Sequence, residues 1–316
     1  MKDLCLLPDD LLKRLKLIVP KVYQEVVFCS FFAQRPTTFR VNYLKTTTDD
    51  LEKTLKESGF NSQRSRSIPG AFLLVGQSNL RQLMELPAYK GGYFYLQSFS
   101  SMLPVFFLGP RPGEDVLDLT AAPGSKTTQM AALMGNQGAI TALESNQVRF
   151  YKLLANLKTQ GVQNTKAFRG DARFFWRDHR EQFDKVLLDA PCSGEGRLHV
   201  QEPETFSHWS LKEVKRNHFL QKSLIFSAVN CLRSGGILVY STCTLSPEEN
   251  EVIIDFALEK FKGQLVVEEP PIHLPNFSPP LKSFAGVEFS EQISRSVRIF
   301  PDEKFEGFFI CRLRKI

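Results

Sequence analysis

The fold is decided by the stretch Val116-Leu117-Asp118-Leu119-Thr120-Ala121-Ala122-Pro123-Gly124-Ser125-Lys126-Thr127. Its first half has the apolar character of a buried strand, and its second half is a turn of small residues that leads into a helix. Small side chains at such a turn let a ligand approach the backbone closely. The stretch therefore predicts the first strand, turn and helix of an open α/β sheet, with a ligand site at the turn.

Strands and helices continue to alternate on the C-terminal side of this stretch. Strands are expected at residues 115–120, 139–144, 165–169, 183–189 and 236–241, with helices between them. This alternation is typical of a doubly wound, mostly parallel sheet. A helix over 247–261 follows, with Ser246 as its expected cap and with Asn250 and Glu251 expected to serve the local structure. A proline-rich loop over 270–280 and strands at 297–300 and 308–313 come after it. The closing pair predicts one antiparallel strand near the C-terminus.

The first third of the chain has a different pattern. Apolar residues have helical spacing over 4–32, and a strand at 39–42, a helix at 49–59 and a strand at 71–75 are expected. These elements predict a small α+β domain over residues 1–95. A connecting helix over Tyr95 to Leu108 would join it to a second domain, residues 96–316.

Acidic residues lie at the carboxyl ends of successive predicted strands. Glu144 and Asp189 end two of them, and Asp171 follows a third. Ligands bind at this edge of an open α/β sheet, and Glu144 stands about 20 residues after the turn, where a carboxylate can accept both hydroxyls of a ribose. Together with the small-residue turn, the three carboxylates predict a site for a nucleoside-bearing ligand.

Three other kinds of ligand or active site are excluded because their sequence motifs are missing. A phosphate-binding loop needs GxxxxGK[ST], but position 119 is Leu and Ser125 separates Gly124 from Lys126. The sequence contains neither the dinucleotide motif GxGxxG nor the hydrolase motif GxSxG at the corresponding turn.

Two cysteines follow two neighbouring predicted strands. One loop reads Asp189-Ala190-Pro191-Cys192-Ser193-Gly194-Glu195-Gly196, and the other reads Ser241-Thr242-Cys243-Thr244. Neighbouring strands of one sheet can bring both sulfurs to the same edge, facing the ligand site. Enzymes that methylate exocyclic amines typically have an aromatic residue where this chain has Cys192.

A pair of thiols suits chemistry at carbon 5 of cytosine, which is a poor nucleophile. A thiolate that adds to carbon 6 makes the ring enamine-like, so that carbon 5 can attack an electrophilic methyl group. The second thiol can assist release of the product. Lys126 is a candidate for the positive field that ionises a thiol, and Asp189 for binding the amino and ring-nitrogen edge of the base. The residues alone do not decide which cysteine attacks.

Composition narrows the class of protein further. The net charge is +6, and residues 1–110 carry 14 Lys and Arg against 9 Asp and Glu, which suits a polyanionic partner or an ordinary solvated surface. Cys5, Cys29, Cys231 and Cys311 are expected to be small buried residues. The spacing of Cys and His predicts no metal site. No apolar stretch approaches the length of a membrane span, and Asp3, Asp9 and Asp10 interrupt any signal-peptide core, so we expect a soluble, cytoplasmic protein without membrane contact.

These motifs resemble the Nop/Sun family of RNA (cytosine-5)-methyltransferases. The resemblance spans nearly the whole chain in the family's order, and the two cysteine motifs together are its most specific part. It is carried by the following segments: Phe39–Asn42, Asp118–Thr127, Glu144 with Arg149, Gly170–Ala172, Asp189–Gly196, Ser241–Thr244 with Pro247–Asn250, and Glu306–Phe309.

The resemblance implies a Rossmann-like class I methyltransferase domain and an N-terminal domain that helps to hold RNA. It implies that Cys243 is the nucleophile and that Cys192 aids product release. The implied cofactor is S-adenosyl-L-methionine, and the implied partner is RNA, bound by a monomer. The cofactor would lie against the following residues: Thr120, Ala121, Ala122, Pro123, Gly124, Ser125, Lys126, Glu144, Arg149, Asp171 and Asp189.

The sequence departs from the family pattern at three positions. Thr120 and Ser125 replace a Cys and a Gly, and Glu306 stands where Asp is commoner. No additional RNA-binding module is recognised, which favours ribosomal RNA over tRNA as the substrate. Two alternatives stay open: the same fold acting on DNA or a free nucleotide, and a catalytically silent methyltransferase fold that serves as an RNA scaffold.

Overall fold

The computed structural model describes residues 7–76 and 80–316 of the 316-residue chain. Cys5 and residues 4–6 of the expected first helix lie outside these residues. The elements of the first third are α1 (Asp9–Ile18), α2 (Lys21–Ser30), β1 (Thr38–Val41), α3 (Thr48–Glu57), β2 (Ser62–Arg64), β3 (Ala71–Leu74), α4 (Leu80–Glu85), α5 (Pro87–Lys90) and β4 (Phe94–Leu96).

The remaining two thirds contain a larger set of elements. They are α6 (Phe99–Leu108), β5 (Asp115–Asp118), α7 (Ser125–Leu133), β6 (Ala139–Glu144), α8 (Gln147–Gln160), β7 (Thr165–Arg169), β8 (Phe183–Asp189), α9 (Leu211–Cys231), β9 (Leu232–Thr242), α10 (Glu251–Lys260), β10 (Leu265–Val267), β11 (Phe277–Ser278), β12 (Ser283–Phe284), β13 (Val287–Glu288), β14 (Val297–Ile299) and β15 (Phe308–Lys315).

The large sheet is the core of the molecule. Its strand order is β11-β14-β15-β9-β8-β5-β6-β7. The strands from β9 to β7 pair in parallel, whereas β15 pairs antiparallel with β9. This confirms the expected mostly parallel sheet with an antiparallel strand near the C-terminus. The short strands β10, β11 and β14 add further antiparallel pairs at that edge.

Alternating side chains of the central strands build an apolar core on each face of the sheet. On β8, Val186 and Leu188 pack with α9 and α10, whereas Leu187 packs with α6 and α7. On β9, Leu238 and Val239 divide between the two faces in the same way. Successive residues of a strand point to opposite faces, so these continuous apolar runs require helices on both sides. The layered arrangement fixes the positions of the strand ends that carry the site.

The small sheet has the order β2-β3-β1-β4 and packs on α3. Its strand β4 and the cap Ser98, whose hydroxyl accepts from Ser101 N, were not predicted. The sequence assigned residues 95–98 to the connecting helix, which was wrong because the helix begins at Phe99. Gly109 ends that helix in the left-handed conformation, with φ of 59°, as glycine readily does.

The expected N-terminal helix is two helices rather than one. Val19 is extended and Pro20 precedes α2, because proline disfavours the helical conformation in the residue before it. The buried faces of both helices pack on Leu198, Trp209 and Leu245, beside the two cysteine loops. The boundary between residues 95 and 96 stays a prediction.

The entry into α10 differs from the expected cap. Residues Pro247–Glu249 form a 3-10 turn, and the hydroxyl of Ser246 donates to Glu195 Oε1 at 2.7 Å instead of capping the helix. Asn250 donates to the carbonyl of Thr244 at 3.0 Å, so it does serve the local structure, as expected. The strand exit after Cys243 is therefore held by buried side chains and not by a capping box.

Candidate active site

The two cysteine loops meet at the carboxyl edge of the large sheet. Because β8 and β9 are parallel neighbours, their following loops leave the sheet on the same side. The sulfurs of Cys192 and Cys243 lie 3.4 Å apart and are in hydrogen-bond contact. Gly196 N donates to the carbonyl of Cys243 at 3.0 Å, which ties the loops together a second time. The structure thus brings both predicted thiols to one point.

The surroundings of the two sulfurs differ in charge. The hydrogen bond from the Cys192 thiol lowers the pKa of Cys243, and the guanidinium of Arg197 lowers it further. The same hydrogen bond and burial raise the pKa of Cys192 well above its usual value. A thiolate is the nucleophilic form of cysteine. The arrangement therefore favours Cys243 as the thiolate and Cys192 as its proton-bearing neighbour.

Arg197 supplies a positive charge that the sequence reasoning assigned to Lys126. It stands one residue beyond the Asp189–Gly196 motif, and its Nε lies 3.7 Å from Glu306 Oε1. Its position directly after the glycine-rich loop of Cys192 was the one signal in the sequence for Arg197. The recognised motif ends one residue earlier, at Gly196, so the sequence analysis missed it. Lys126 is used differently.

Lys126 and Asp189 form a partly buried ion pair at the carboxyl edge of the sheet. The Lys126 Nζ lies 2.6 Å from Asp189 Oδ2 and donates to Ser101 Oγ at 2.9 Å. The Ser241 hydroxyl donates to Asp189 Oδ1 at 2.7 Å. Both oxygens of the Asp189 carboxylate are thereby fixed in direction, next to the cysteine loop that follows it.

The predicted ligand turn lines a cavity of about 600 Å³ that also reaches both cysteines. The predicted residues that line it are Thr120, Ala122, Pro123, Ser125, Lys126, Glu144, Arg149, Asp171 and Asp189. The other two turn residues, Ala121 and Gly124, do not line the cavity. The Gly124 amide donates to the Ala121 carbonyl at 2.7 Å and closes the turn. A Cβ on Gly124, whose φ is 103°, would lie 3.0 Å from Leu153 Cδ1.

The three residues that depart from the family pattern, Thr120, Ser125 and Glu306, fit the local structure. The Thr120 hydroxyl donates to the Asp189 carbonyl at 2.8 Å, and Ser125 is the first residue of α7. Glu306 accepts from Ser98 Oγ at 2.7 Å. The C-terminal motif therefore joins the connecting helix to the cysteine site.

A buried polar cluster lies beneath the sulfurs and joins their neighbours in sequence. Ser193 Oγ lies 2.9 Å from Glu195 Oε2 and 2.9 Å from Thr244 Oγ1, and it also bonds Glu249. Glu195 accepts from Thr244 and from Trp209 Nε1, the latter at 2.8 Å. Glu195 and Glu249 are both almost fully buried, at 1% and 0% exposed.

The number of hydroxyl hydrogens in this cluster favours a protonated carboxyl group. The Thr244 hydrogen points at Glu195, so the single Ser193 hydrogen cannot fill all three of the contacts that remain at its oxygen. A protonated carboxyl group would supply the missing hydrogen. Burial and the nearby Glu195 carboxylate together raise the pKa of Glu249 to about 8. Glu249 is therefore a neutral acid that donates to Ser193 at neutral pH.

Two glycines hold the cysteine loop against the C-terminal motif. Gly307 N donates to the Gly196 carbonyl at 2.8 Å. A Cβ on Gly196 would lie 2.1 Å from the Gly307 carbonyl oxygen, so only glycine fits. This contact sets the place of Arg197, the next residue.

The remaining described cysteines lie away from the cavity that Cys192 and Cys243 line. Cys231 and Cys311 are buried, as expected, whereas Cys29 is exposed on α2, so its predicted burial was wrong. Among residues 7–76 and 80–316, no three His, Cys, Asp or Glu side chains are grouped as a metal site would need. No helix in this part of the chain is long and apolar enough to cross a membrane.

Comparison with known proteins identifies close relatives. "Ribosomal RNA small subunit methyltransferase F" of Vibrio vulnificus is 38% identical over 98% of this chain, which spans 64% of that protein. "tRNA (cytosine(49)-C(5))-methyltransferase" of Pyrococcus abyssi is 38% identical over 89% of this chain and 88% of its own length.

Solved structures agree with these relatives. A methyltransferase homologue from Pyrococcus horikoshii, 34% identical, superimposes with a TM-score of 0.85 over 100% of this chain and 98% of its own. NSun6 from the same organism, solved with SFG, is 27% identical and gives a TM-score of 0.83 over 99% of both chains. The model of the 16S rRNA methyltransferase RsmB/F family matches residues 105–314. The chain therefore belongs to the RsmB/F family, which is the Nop/Sun family that its motifs resemble.

Proposed function

We propose that the protein methylates carbon 5 of a cytosine in RNA, with S-adenosyl-L-methionine as the methyl donor. The observation that carries the proposal is the pair of sulfurs 3.4 Å apart in the same cavity as the acidic strand ends. The family and the names of its relatives support the reaction class. The chain spans only 64% of the length of the Vibrio relative. The activity of the whole protein is therefore part of what we propose.

The residues that line the cavity fit a nucleoside-bearing cofactor. Glu144 presents a carboxylate, 6% exposed, that accepts from Asn146 N at 2.7 Å with Oε1. Asp171 lies at the neighbouring strand end. Together they would hold the ribose and the base, and Arg149 covers the turn by donating to the Ala122 carbonyl at 2.6 Å. S-adenosyl-L-methionine would supply an electrophilic methyl group at this place.

The first chemical step uses the thiolate of Cys243. Its sulfur forms a bond to carbon 6 of the cytosine, and the electron pair of the 5,6 double bond moves to carbon 5, which then bonds the methyl group. Asp189 would bind the amino and ring-nitrogen edge of the base, with Lys126 and Ser241 fixing its two oxygens. A protonated ring nitrogen would withdraw charge from the adduct.

The second step releases the product. The proton on carbon 5 leaves to a base, the 5,6 double bond re-forms, and the bond between Cys243 and carbon 6 breaks. Cys192, whose sulfur lies 3.4 Å from that of Cys243, would give its hydrogen to the departing Cys243 sulfur and take the proton from carbon 5 in its place. The assignment of attack to Cys243 and release to Cys192 is supported by the lower pKa of Cys243.

The proposed substrate is ribosomal RNA, with tRNA as the second candidate. The Vibrio vulnificus relative is named for ribosomal RNA, and the Pyrococcus abyssi relative is named for tRNA. The target cytosine must be unpaired or flipped out to reach a pocket at this depth. The proposal also has residues 1–95 hold the RNA, and has the protein act as a monomer in the cytoplasm.

Two cysteine variants test the proposal on small-subunit ribosomal RNA and tRNA transcripts. The unaltered protein is expected to form 5-methylcytosine in one of them. Cys192→Ala is expected to accumulate a covalent protein–RNA complex, because release is blocked after attack. Cys243→Ala is expected to form neither product nor complex. Methylation of DNA alone, or trapping by Cys243→Ala, would contradict the proposal, and failure to bind S-adenosyl-L-methionine in calorimetry would favour a silent scaffold.

A further inference from the structure

A second cavity of about 1220 Å³ adjoins the proposed active site. The two cavities share Arg197 and Glu306 among their lining residues, so they lie on either side of these two side chains. Its other walls come from the segment between α2 and β1 and from the loop after Arg197. This volume exceeds the roughly 300–1,000 Å³ of ordinary small-molecule sites. The cavity is large enough for a segment of a polymer that enters the active site.

Two polar side chains in this cavity lack partners. His199 is 8% exposed, and neither of its ring nitrogens has a hydrogen-bond partner among the residues that the structure describes. Nη2 of Arg35 is also buried without a partner in the same part of the chain. Buried polar groups are nearly always hydrogen-bonded in folded proteins. Unpaired groups that line an open cavity therefore indicate a ligand that completes them.

Hydrogen bonds hold the backbone at His199 and one nitrogen of the Arg35 guanidinium. The Thr205 hydroxyl accepts from His199 N at 3.0 Å, so the loop is closed around the histidine. Arg35 donates from Nε to the Asp302 carbonyl at 3.3 Å, which leaves Nη2 free to donate elsewhere. The His199 backbone and the Arg35 Nε are thus held before any ligand arrives.

The charges decide which part of RNA fits here. Burial lowers the pKa of Arg35, but Glu306, Asp302 and Glu202 all act on it in the opposite direction. The cavity lining carries Arg35 and Arg197 against Glu202 and Glu306, so its formal charges balance and give a phosphate group no net attraction. The edge of a nucleobase carries both N–H donors and oxygen or nitrogen acceptors, so it can satisfy the arginine, the histidine and a carboxylate at once.

We propose that the second cavity binds the base of an unpaired RNA nucleotide next to the target cytosine, through Arg35 and His199. The proposal rests on the proposed methylation of RNA and adds a contact that reads sequence. Residues outside the reacting site would then select which cytosine is methylated.

A short RNA library tests this inference. Each molecule carries one cytosine with randomised positions on both sides, and methylated molecules are identified by bisulfite sequencing. The unaltered protein is expected to favour one base at a neighbouring position by about 5-fold to 150-fold, as one good pair of base contacts provides. Arg35→Gln and His199→Phe are expected to lose this preference while retaining methylation.

Arg111→Gln is the matched control. Arg111 is exposed and precedes β5, at the amino edge of the sheet, so its loss should leave the preference intact. Melting temperatures of all variants show that they fold. The salt dependence of binding separates base from phosphate contacts, because losing one phosphate contact lowers the slope of log K against log salt by about 1. We expect an unchanged slope for Arg35→Gln.

The possible failures can be told apart. If the unaltered protein methylates no member of the library, the proposed function itself is contradicted. If it methylates with a neighbour preference that Arg35→Gln and His199→Phe both keep, or with no preference, the second cavity does not read a base. A lower salt slope for Arg35→Gln with an intact preference would assign the arginine to phosphate and overturn the inference.

Discussion

Replacing Glu249 with Gln should show whether this buried carboxyl is neutral in the folded protein. Glutamine has nearly the same shape as protonated glutamate, and its amide can donate to Ser193 as the acid does. Its carbonyl can accept from Gln221 Nε2, which lies 2.9 Å from Glu249 Oε2. We therefore expect Glu249→Gln to fold and to retain the positions of both cysteine loops.

The magnitude follows from the raised pKa of Glu249, about 8 in the fold against 4.5 ordinarily. Between these values the folded state holds a proton that the unfolded state has released, so the free energy of unfolding falls as pH rises. The fall is about 1.4 kcal/mol per pH unit. This contribution is fully present below pH 4.5 and is lost above about pH 8. Glutamine does not titrate, so the variant should gain on the unaltered protein by about 2.7 kcal/mol between pH 5.5 and 7.5.

Urea unfolding of both proteins at pH 5.5, 6.5 and 7.5 measures this difference. Glu195→Gln is the matched control, because Glu195 accepts from Trp209, Ser246 and Thr244. An amide at this position would point an N–H donor at other donors, and we expect a loss on the order of 2–4 kcal/mol at pH 5.5. A difference between Glu249→Gln and the unaltered protein that stays constant with pH would refute the neutral acid.

Two further variants test the geometry around the sulfurs. Gly196→Ala should lower the free energy of unfolding by about 3 kcal/mol or more, because its Cβ would meet the Gly307 carbonyl at 2.1 Å. The control Gly170→Ala, whose Cβ would have nothing within 4 Å, should change this free energy by less than about 0.5 kcal/mol. Equal urea midpoints for the two variants would contradict the close contact at Gly196. Arg197→Gln should raise the pH midpoint at which iodoacetamide alkylates Cys243, because the guanidinium lowers the pKa of that thiol. Mass spectrometry of the cysteine peptide measures this midpoint. An unchanged midpoint would show that another group lowers the pKa of Cys243.

The central sheet and the edge that carries the candidate site were predictable from local sequence patterns. Apolar runs predicted the strands, and acidic residues at the strand ends predicted the edge. Strands buried on both faces, such as β8, need continuous apolar residues, and parallel neighbours place their following loops on one side. The meeting of Cys192 and Cys243 follows from that rule. Glu144 and Asp171 were located by the same reasoning, and both line the cavity.

Other features depend on contacts between distant segments, which local patterns do not record. Arg197 reaches the sulfurs because Gly196 packs on Gly307, more than a hundred residues away in sequence. Ser246 has the local sequence of a helix cap, but the buried carboxylate of Glu195 offers it a stronger acceptor. The break at Pro20 was readable from the sequence, yet the apolar spacing on both sides suggested one helix.

The order of the two cysteines was not accessible to sequence reasoning, since both loops have similar composition. The structure separates them by charge: the Cys243 sulfur receives the hydrogen of Cys192 and the field of Arg197. Lys126, the cation that the sequence offered, is instead committed to Asp189 at 2.6 Å. Both the thiol pair and the ion pair had to be located in space before their roles could be distinguished.

The attachment site of a trapped base tests the account most directly. An RNA substrate that carries 5-fluorocytidine at the methylated position cannot lose a proton from carbon 5, so the covalent adduct persists and can be digested and sequenced by mass spectrometry. We predict that the base is bonded through carbon 6 to the sulfur of Cys243. A base bonded to Cys192, or methyl transfer without any sulfur adduct, would contradict the division of labour between the two sulfurs.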